Sequence, residues 1–290
     1  MKAQRIGTGP IIVPHMDGRM GDNINGPSLI RVPEWIPRPL GRYYLYFAHH
    51  DGRYIRLAYA DRVTGPWRMH EPGVLPIETT GFRGHVASPD VHVDHTERRI
   101  RLYFHGADTP SDQPGPQHTR VACSTDGVQF QTRPENLGPA YFRVFDWRGW
   151  RIALAMPGQL YRSDDGLGGF EPGPVLFDEH MRHSALLLRD DRLLVFYSRA
   201  GDEPERILLS EIALTPDWWD WREGPSRVLL APATAHEGAD LAIRPSRRGI
   251  ASGRVRELRD PAIHVEDDTC YLLYCVAGES GIALARLSWG

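Results

Sequence analysis

Short runs in which apolar or aromatic residues alternate with polar ones recur along the chain, each bounded by glycine, proline or an acidic turn. Tyr43-Tyr44-Leu45-Tyr46-Phe47, Arg101-Leu102-Tyr103-Phe104-His105, Leu193-Leu194-Val195-Phe196-Tyr197 and Tyr271-Leu272-Leu273-Tyr274 are the most aromatic of them. Runs this short and this rich in aromatic and branched residues predict strands, not helices. They also follow one order: a strand opened by a turn residue, a polar turn, an aromatic strand ending in small or polar residues, then a third strand and a turn. The order occurs over 26–67, 88–127, 140–166, 183–210 and 259–285, one copy per about 58 residues.

A meander of this size cannot bury both faces alone, so the copies must stack. Radial stacking protects all but short edges and predicts an all-β, five-bladed β-propeller with four-stranded antiparallel blades, in a single domain over residues 1–290. Two packed β-sandwiches would use the same alternation without needing the repeat. The fourth strand of each blade is the least marked, and closing the ring asks a segment such as Ile11-Ile12-Val13 to pair with the last blade.

Composition narrows the function classes. Hydrophobic residues at 41% and charged residues at 24% can build a sizeable core. A net charge of −3 with scattered arginines lacks the basic stripe of a nucleic-acid binder. No run of about 18 apolar residues appears, and the first residues lack a signal-peptide core, so the expected setting is the cytoplasm, away from membranes. Cys123, Cys270 and Cys275 are an odd number in strand contexts, which speaks against a disulfide framework or a thiolate zinc site.

In a meander blade the start of the first strand and the end of the second meet on one rim. This places Asn25, Asp90, His183, Arg259 and Asp260 beside His49, His50, His105, Arg199 and Glu279. Rigidly held strand ends suit polar groups whose hydrogen bonds a ligand completes. Each residue alone also reads as an ordinary polar turn; the gathering of so many on one rim is what points to a site. Cleaving a sugar bond takes one carboxyl held protonated and one held ionised. Asp260, beside Arg259, is expected as the ionised group, and Glu237 as the proton donor.

Glu237 and Asp240 lie in the long linker 221–256, which reads as a lid or as a turn capped by its own acids. The charged loop 202–206 reads as a solvated hairpin tip, or else as a loop whose Glu205 and Arg206 reach the mouth. His92 and His264 hold matching positions in first strands; they would suit a structural metal or an ordered water, but without clustered spacing they read as core histidines. No other cofactor is expected. The glycine-rich stretch 164–169 opens no helix and so is no nucleotide loop. Trp35, Trp147, Trp150, Trp218 and Trp219 would stack on sugars if they reached the mouth, and otherwise pack between blades.

Together Asn25-Gly26-Pro27, Ser88-Pro89-Asp90, the Ser-x-Asp-Gly-x-x-Phe stretch from Ser124 to Phe130, His236-Glu237-Gly238 and Arg259-Asp260-Pro261 resemble the five-bladed propeller glycoside hydrolases, family 43 and its relatives among arabinanases, β-xylosidases and fructosidases. The resemblance covers essentially the whole chain. It implies a base or nucleophile in the first blade, an orienting aspartate in the second and a glutamate acid later. Asp90 matches the second of these and Glu237-Gly238 looks like the third, though it follows the fourth blade. Where the first acid would precede proline the chain has Gly26, and its Asp-Pro pair is in the fifth blade.

The expected activity is therefore hydrolysis of a small saccharide or glycoside by Asp260, Glu237 and Asp90, with Asn25, His49, His50, His105, His183, Arg199, Asp240, Arg259 and Glu279 binding substrate. Two other readings use the same residues: a non-catalytic carbohydrate-binding propeller, and a non-hydrolytic enzyme whose histidine-rich mouth works as acid and base or binds a metal.

Overall fold

The computed structural model describes residues 1–113 and 115–289. Its first strand, β1 (Lys2–Ile6), is set aside for the last blade. Blade one is β2 (Asn25–Arg31), β3 (Tyr43–Ala48), β4 (Tyr54–Ala60) and β5 (Arg68–Pro76). Blade two is β6 (Val86–Asp94), β7 (Arg99–Ala107) and β8 (Gln117–Ser124), whose outer edge pairs with the two short strands β9 (Gln131–Thr132) and β10 (Gly138–Pro139). Blade three is β11 (Arg143–Trp147), β12 (Trp150–Ala155), β13 (Gln159–Ser163) and β14 (Glu171–Val175). Blade four is β15 (Met181–Arg189), β16 (Arg192–Arg199), β17 (Ile207–Ala213) and β18 (Arg227–Leu230). Blade five is β19 (Leu258–Glu266), β20 (Thr269–Val276) and β21 (Ile282–Ser288), completed by β1. The architecture is the expected five-bladed propeller of four-stranded antiparallel sheets.

The ring closes through Lys2–Ile6, which runs antiparallel to β21 from Lys2 opposite Ser288 to Ile6 opposite Leu284. Ile11-Ile12-Val13 is not that strand: only Ile12 forms a bridge, to Ile282. Ile12 is fully buried and serves as a core plug beneath the last blade. Among the described residues no helix is long and apolar enough to cross a membrane.

The core lies between blades. Tyr44 and Tyr46 of β3 pack with Ile100, Leu102 and Phe104 of β7 in one buried cluster, which is why the middle strands are apolar on both faces. A repeated turn latches neighbours together. In Ser124-Thr125-Asp126-Gly127 the Ser124 hydroxyl accepts the Gly127 amide, and the Gly127 carbonyl accepts the Tyr46 phenol of the preceding blade at 2.7 Å. Ser163 and Gly166 repeat the arrangement with Tyr103 at 2.8 Å. The glycine-rich stretch is thus an inter-blade latch.

One device recurs in four blades, with a positive-φ counterpart in the third, and positions the site. The β2/β3, β6/β7, β15/β16 and β19/β20 ladders each slip register near the top of the first strand. At that step Gly26, Ser88, His183 and Asp260 have φ of 59°, 48°, 47° and 46°, and Tyr141, just before β11, has φ of 70°. A bulge re-aims one residue per blade toward the axis. Gly26 has no choice of side chain: a Cβ there would fall 2.7 Å from the Ser88 Cα.

Candidate active site at the propeller mouth

Three of these positive-φ residues, Ser88, Tyr141 and His183, line a cavity of about 180 Å³ at the mouth, whose walls also include Asn25 with His50 and His105 from second-strand ends. The rim expected from strand polarity is real for these residues. Tyr141 lies between His105 and His183, ring centroids 5.9 and 5.3 Å away, and the Arg143 guanidinium stacks 4.1 Å from its ring. Burial holds the His85, His105 and His183 imidazoles below their ordinary pKa, the last helped by Arg182, so they face the cavity neutral.

Asp260 lies behind Tyr141, whose phenol donates to its Oδ1 at 2.7 Å, and 3.8 Å from His183 Nε2. Burial and the nearby Glu279 charge hold its carboxyl above the usual carboxylate range, against the opposing pull of Tyr141, Arg182 and Arg259. The expected source of ionisation is missing, because Arg259 points its guanidinium at three glutamates instead of at Asp260. It bonds Glu257 at 2.7 Å, lies 3.3 Å from Glu205 and donates to Glu279 at 3.1 Å. Burial alone would raise Glu279, but hydrogen bonding and charge from His50, the Arg259 charge and the Asn23 amide outweigh it and leave it below the ordinary value. Glu205, expected in a solvated hairpin tip, is wholly buried, and burial raises its pKa.

Glu237 is not a proton donor at this mouth. It ends a short 3₁₀ turn, Ala235–Glu237, where it accepts from Arg5 at 2.7 and 2.9 Å, from the Ala233 and Thr234 amides and from the Tyr274 phenol. Burial pushes its pKa up, and the Arg5 bond and these donors more than reverse that. It staples β1 to the long linker. Asp90 is also elsewhere than expected. Its Oδ2 accepts His92 Nε2 and the Val144 amide, both at 2.8 Å, in an axial cavity of about 130 Å³ that it shares with Arg143 and not with Asp260. The Arg143 guanidinium underpins the mouth by bonding the Ser88 and Ser184 carbonyls.

The remaining expected residues divide. Asn25, His50, His105 and His183 line the mouth. His49, Asp240 and Glu279 line a larger adjacent cleft of about 620 Å³. Arg199 pairs with Asp178 at 2.8 Å, away from both, and Arg259 is a buried hub. His92 is held by Asp90, and that bond with the Asp90 charge outweighs burial and raises its pKa. His264 stacks on Tyr271 and packs edge-on to Tyr43. Among the described residues no group of three or more histidines, cysteines or acids is placed to hold a metal ion. No tryptophan lines the mouth: Trp147, Trp150 and Trp218 share a separate pocket, Trp35 packs on His95, and Trp219 is exposed.

Sequence reasoning missed Tyr141 and His85 as mouth residues, while Ser88 belongs to the strand start Ser88-Pro89-Asp90 that strand polarity sets on the rim. Tyr141 was findable, because it occupies the position of Asp260 when the five copies are aligned. The loop 235–240, read from sequence as a lid, does not line this mouth. The linker does cover the mouth, but through Arg247 and Gly249, whose carbonyls accept from Arg182 at 2.8 Å and Arg259 at 3.1 Å, and not through the Glu237 turn. Among the described residues, the buried polar atoms near the mouth without a partner include Asn25 Oδ1, His105 Nδ1, Arg143 Nη2, His183 Nδ1 and Asp260 Oδ2. Buried polar atoms are normally satisfied, so a cluster of orphans marks a place for a polar ligand.

No family model matches the chain. An uncharacterized protein of Acanthamoeba polyphaga mimivirus is 36% identical over 299 residues, covering 91% of this chain and 83% of that protein. Among solved structures, the GH43_1 enzyme from Xanthomonas citri complexed with xylose has a TM-score of 0.66 at 13% identity, covering 97% of this chain and 91% of that one. A GH43 β-xylosidase/α-arabinofuranosidase from a compost microbial metagenome, in complex with xylotriose, has a TM-score of 0.67 at 13% identity, covering 98% and 96%. An exo-1,5-α-L-arabinanase from a bovine ruminal metagenomic library has a TM-score of 0.58 at 12% identity, covering 92% and 94%. At these identities the likeness is one of fold.

Proposed function

Since the chain belongs to the family of the mimivirus protein and is built on the five-bladed scaffold of GH43 glycoside hydrolases, we propose that its mouth seats one sugar unit of a small glycoside and hydrolyses the bond beside it. The observation that carries this is the set of orphaned polar atoms round the cavity, Asp260 Oδ2 among them. A space of about 180 Å³ suits one sugar ring, whose hydroxyls both donate and accept.

Glycoside cleavage needs a proton for the leaving oxygen and a negative group facing the cationic transition state. Asp260, whose pKa burial and Glu279 raise and which the Tyr141 phenol ties to the mouth, is the proposed donor. Glu279, ionised under His50, Asn23 and Arg259, is its charged counterpart. Two carboxyls whose surroundings push their pKa values apart are the usual mark of such a division of labour. The xylose and xylotriose held by the fold neighbours support a short saccharide as substrate. The proposed setting is the cytoplasm, supported by three free cysteines, and residues 1–290 are read as one domain.

A second reading, binding without turnover, is favoured by one observation: Asp260 is only 1% exposed behind Tyr141. Release of reducing sugar from a panel of xylosides, arabinosides and other small glycosides, measured beside calorimetry on the same compounds, tests both. Turnover that disappears in Asp260→Asn is the expected result. Binding with no turnover in the wild type would leave the second reading.

A further inference from the structure

The wall of the mouth cavity has an imbalance that bond cleavage does not require. Two guanidiniums, Arg182 and Arg248, and four imidazoles line it, and among the described residues no carboxylate does. The acids sit behind this wall: Asp260 behind Tyr141, and Glu279 behind His50, 3.2 Å from its Nδ1.

The two cations differ in freedom. Arg182 is committed, donating to the Arg247 carbonyl and to His183 Nε2, with Glu205 at 3.7 Å. Arg248, carried by the linker that roofs the mouth, is exposed, forms no ion pair among the described residues and donates to a single carbonyl, that of Glu179. A guanidinium has five N–H donors, so most of those on Arg248 remain for a ligand. A wall of donors with an uncompensated fork-shaped cation favours a carboxylate or phosphate, which such a fork binds in bidentate fashion. An inorganic anion would not suffice, because Asn25 Oδ1 is a buried acceptor that needs a donor and a sugar hydroxyl provides one.

We propose that the unit seated in the mouth is an anionic sugar, a uronate or a sugar phosphate, whose charged group is held by Arg248 beside Arg182. This deepens the glycoside reading and rests on it.

The test is calorimetry on the wild type, Arg248→Ala and Arg248→Lys with matched ligands: D-glucose, D-glucuronate and D-glucose 6-phosphate, their galacto counterparts, and inorganic phosphate. Because Arg248 is exposed, thermal melts of the variants should match the wild type. In at least one series an acid form should bind about tenfold or more tighter than the neutral sugar. Alanine should remove most of that margin, lysine should keep part of it, and added salt should narrow it. The stronger of uronate and phosphate identifies the charged group. Neutral sugars binding as tightly as their acids, or a margin that survives in Arg248→Ala, would overturn the anionic assignment and leave the hydrolytic reading standing. Inorganic phosphate binding alone, with no sugar bound, would overturn both.

Discussion

The first and fifth blades present the same backbone to the mouth and opposite chemistry. Gly26 and Asp260 each occupy the bulge of a first strand, at φ of 59° and 46°, and each precedes a proline, Pro27 and Pro261. At Gly26 the next blade comes so close, with Ser88 Cα 2.7 Å from where a Cβ would be, that only hydrogen fits. At Asp260 the neighbours are side-chain tips that leave room for a carboxyl: the Tyr141 phenol donates to it, and the His183 ring lies 3.8 Å away. The ring geometry thus fixes where a residue points, and local crowding decides what that residue can be. Three of the four bulges, and Tyr141 ahead of β11, hold non-glycine residues at positive φ, an unfavourable conformation that tends to persist where a site needs it.

The contrast can be broken from either side. Asp260→Asn keeps the Tyr141 contact and removes the transferable proton, so turnover should fall by about a thousandfold with little change in melting temperature; full activity would end the assignment. Gly26→Ala, at the equivalent backbone position, should cost about 2–3 kcal/mol in a denaturant titration and act on stability instead. An acid could not simply be returned to the first blade without moving Ser88.

Glu237→Gln sharpens the distinction between a mouth carboxyl and a structural one. It should cost about 2 kcal/mol, less than a fully buried pair because Arg5 is partly exposed, and leave turnover unchanged. The folded Glu237 titrates below its ordinary value, so its stabilisation is complete above the pKa of an unfolded glutamate and is lost as pH falls through the lower folded value. The variant should therefore lose part of the wild type's acid-side decline in stability. The smallest effect is expected from Tyr141→Phe. The phenol draws the Asp260 pKa down, so its removal should move the alkaline limb of the pH–rate profile to higher pH. An unmoved limb would separate Tyr141 from Asp260.

The blades were legible because each repeats one meander whose middle strand must be apolar on both faces. The closing strand was not, because Lys2–Ile6 is an edge with mixed exposure and little alternation, while the apolar Ile11-Ile12-Val13 drew attention by composition alone. The rim was legible from strand polarity, which placed Asn25, His50, His105 and His183 correctly. Protonation was not. The charge on Glu237 is fixed by Arg5, 232 positions away, and Arg259 turns from its neighbour Asp260 toward Glu205, Glu257 and Glu279. Adjacency in sequence says little about which way a guanidinium points. Glu205 looked solvated for the same reason: nothing nearby in the chain announces that Ser198 and Arg259 will enclose it.

Pairing β1 with β21 has a consequence for synthesis. The five-residue strand β1 is translated well before its partner β21, with the strands of the first four blades between them, so that edge must wait unpaired while those blades form. Both carboxyls proposed for chemistry, Asp260 and Glu279, belong to the blade finished in this way. A nascent chain stalled short of β20 would carry the histidines of the mouth without Glu279, so the proposed chemistry would wait until β1 and β21 have met.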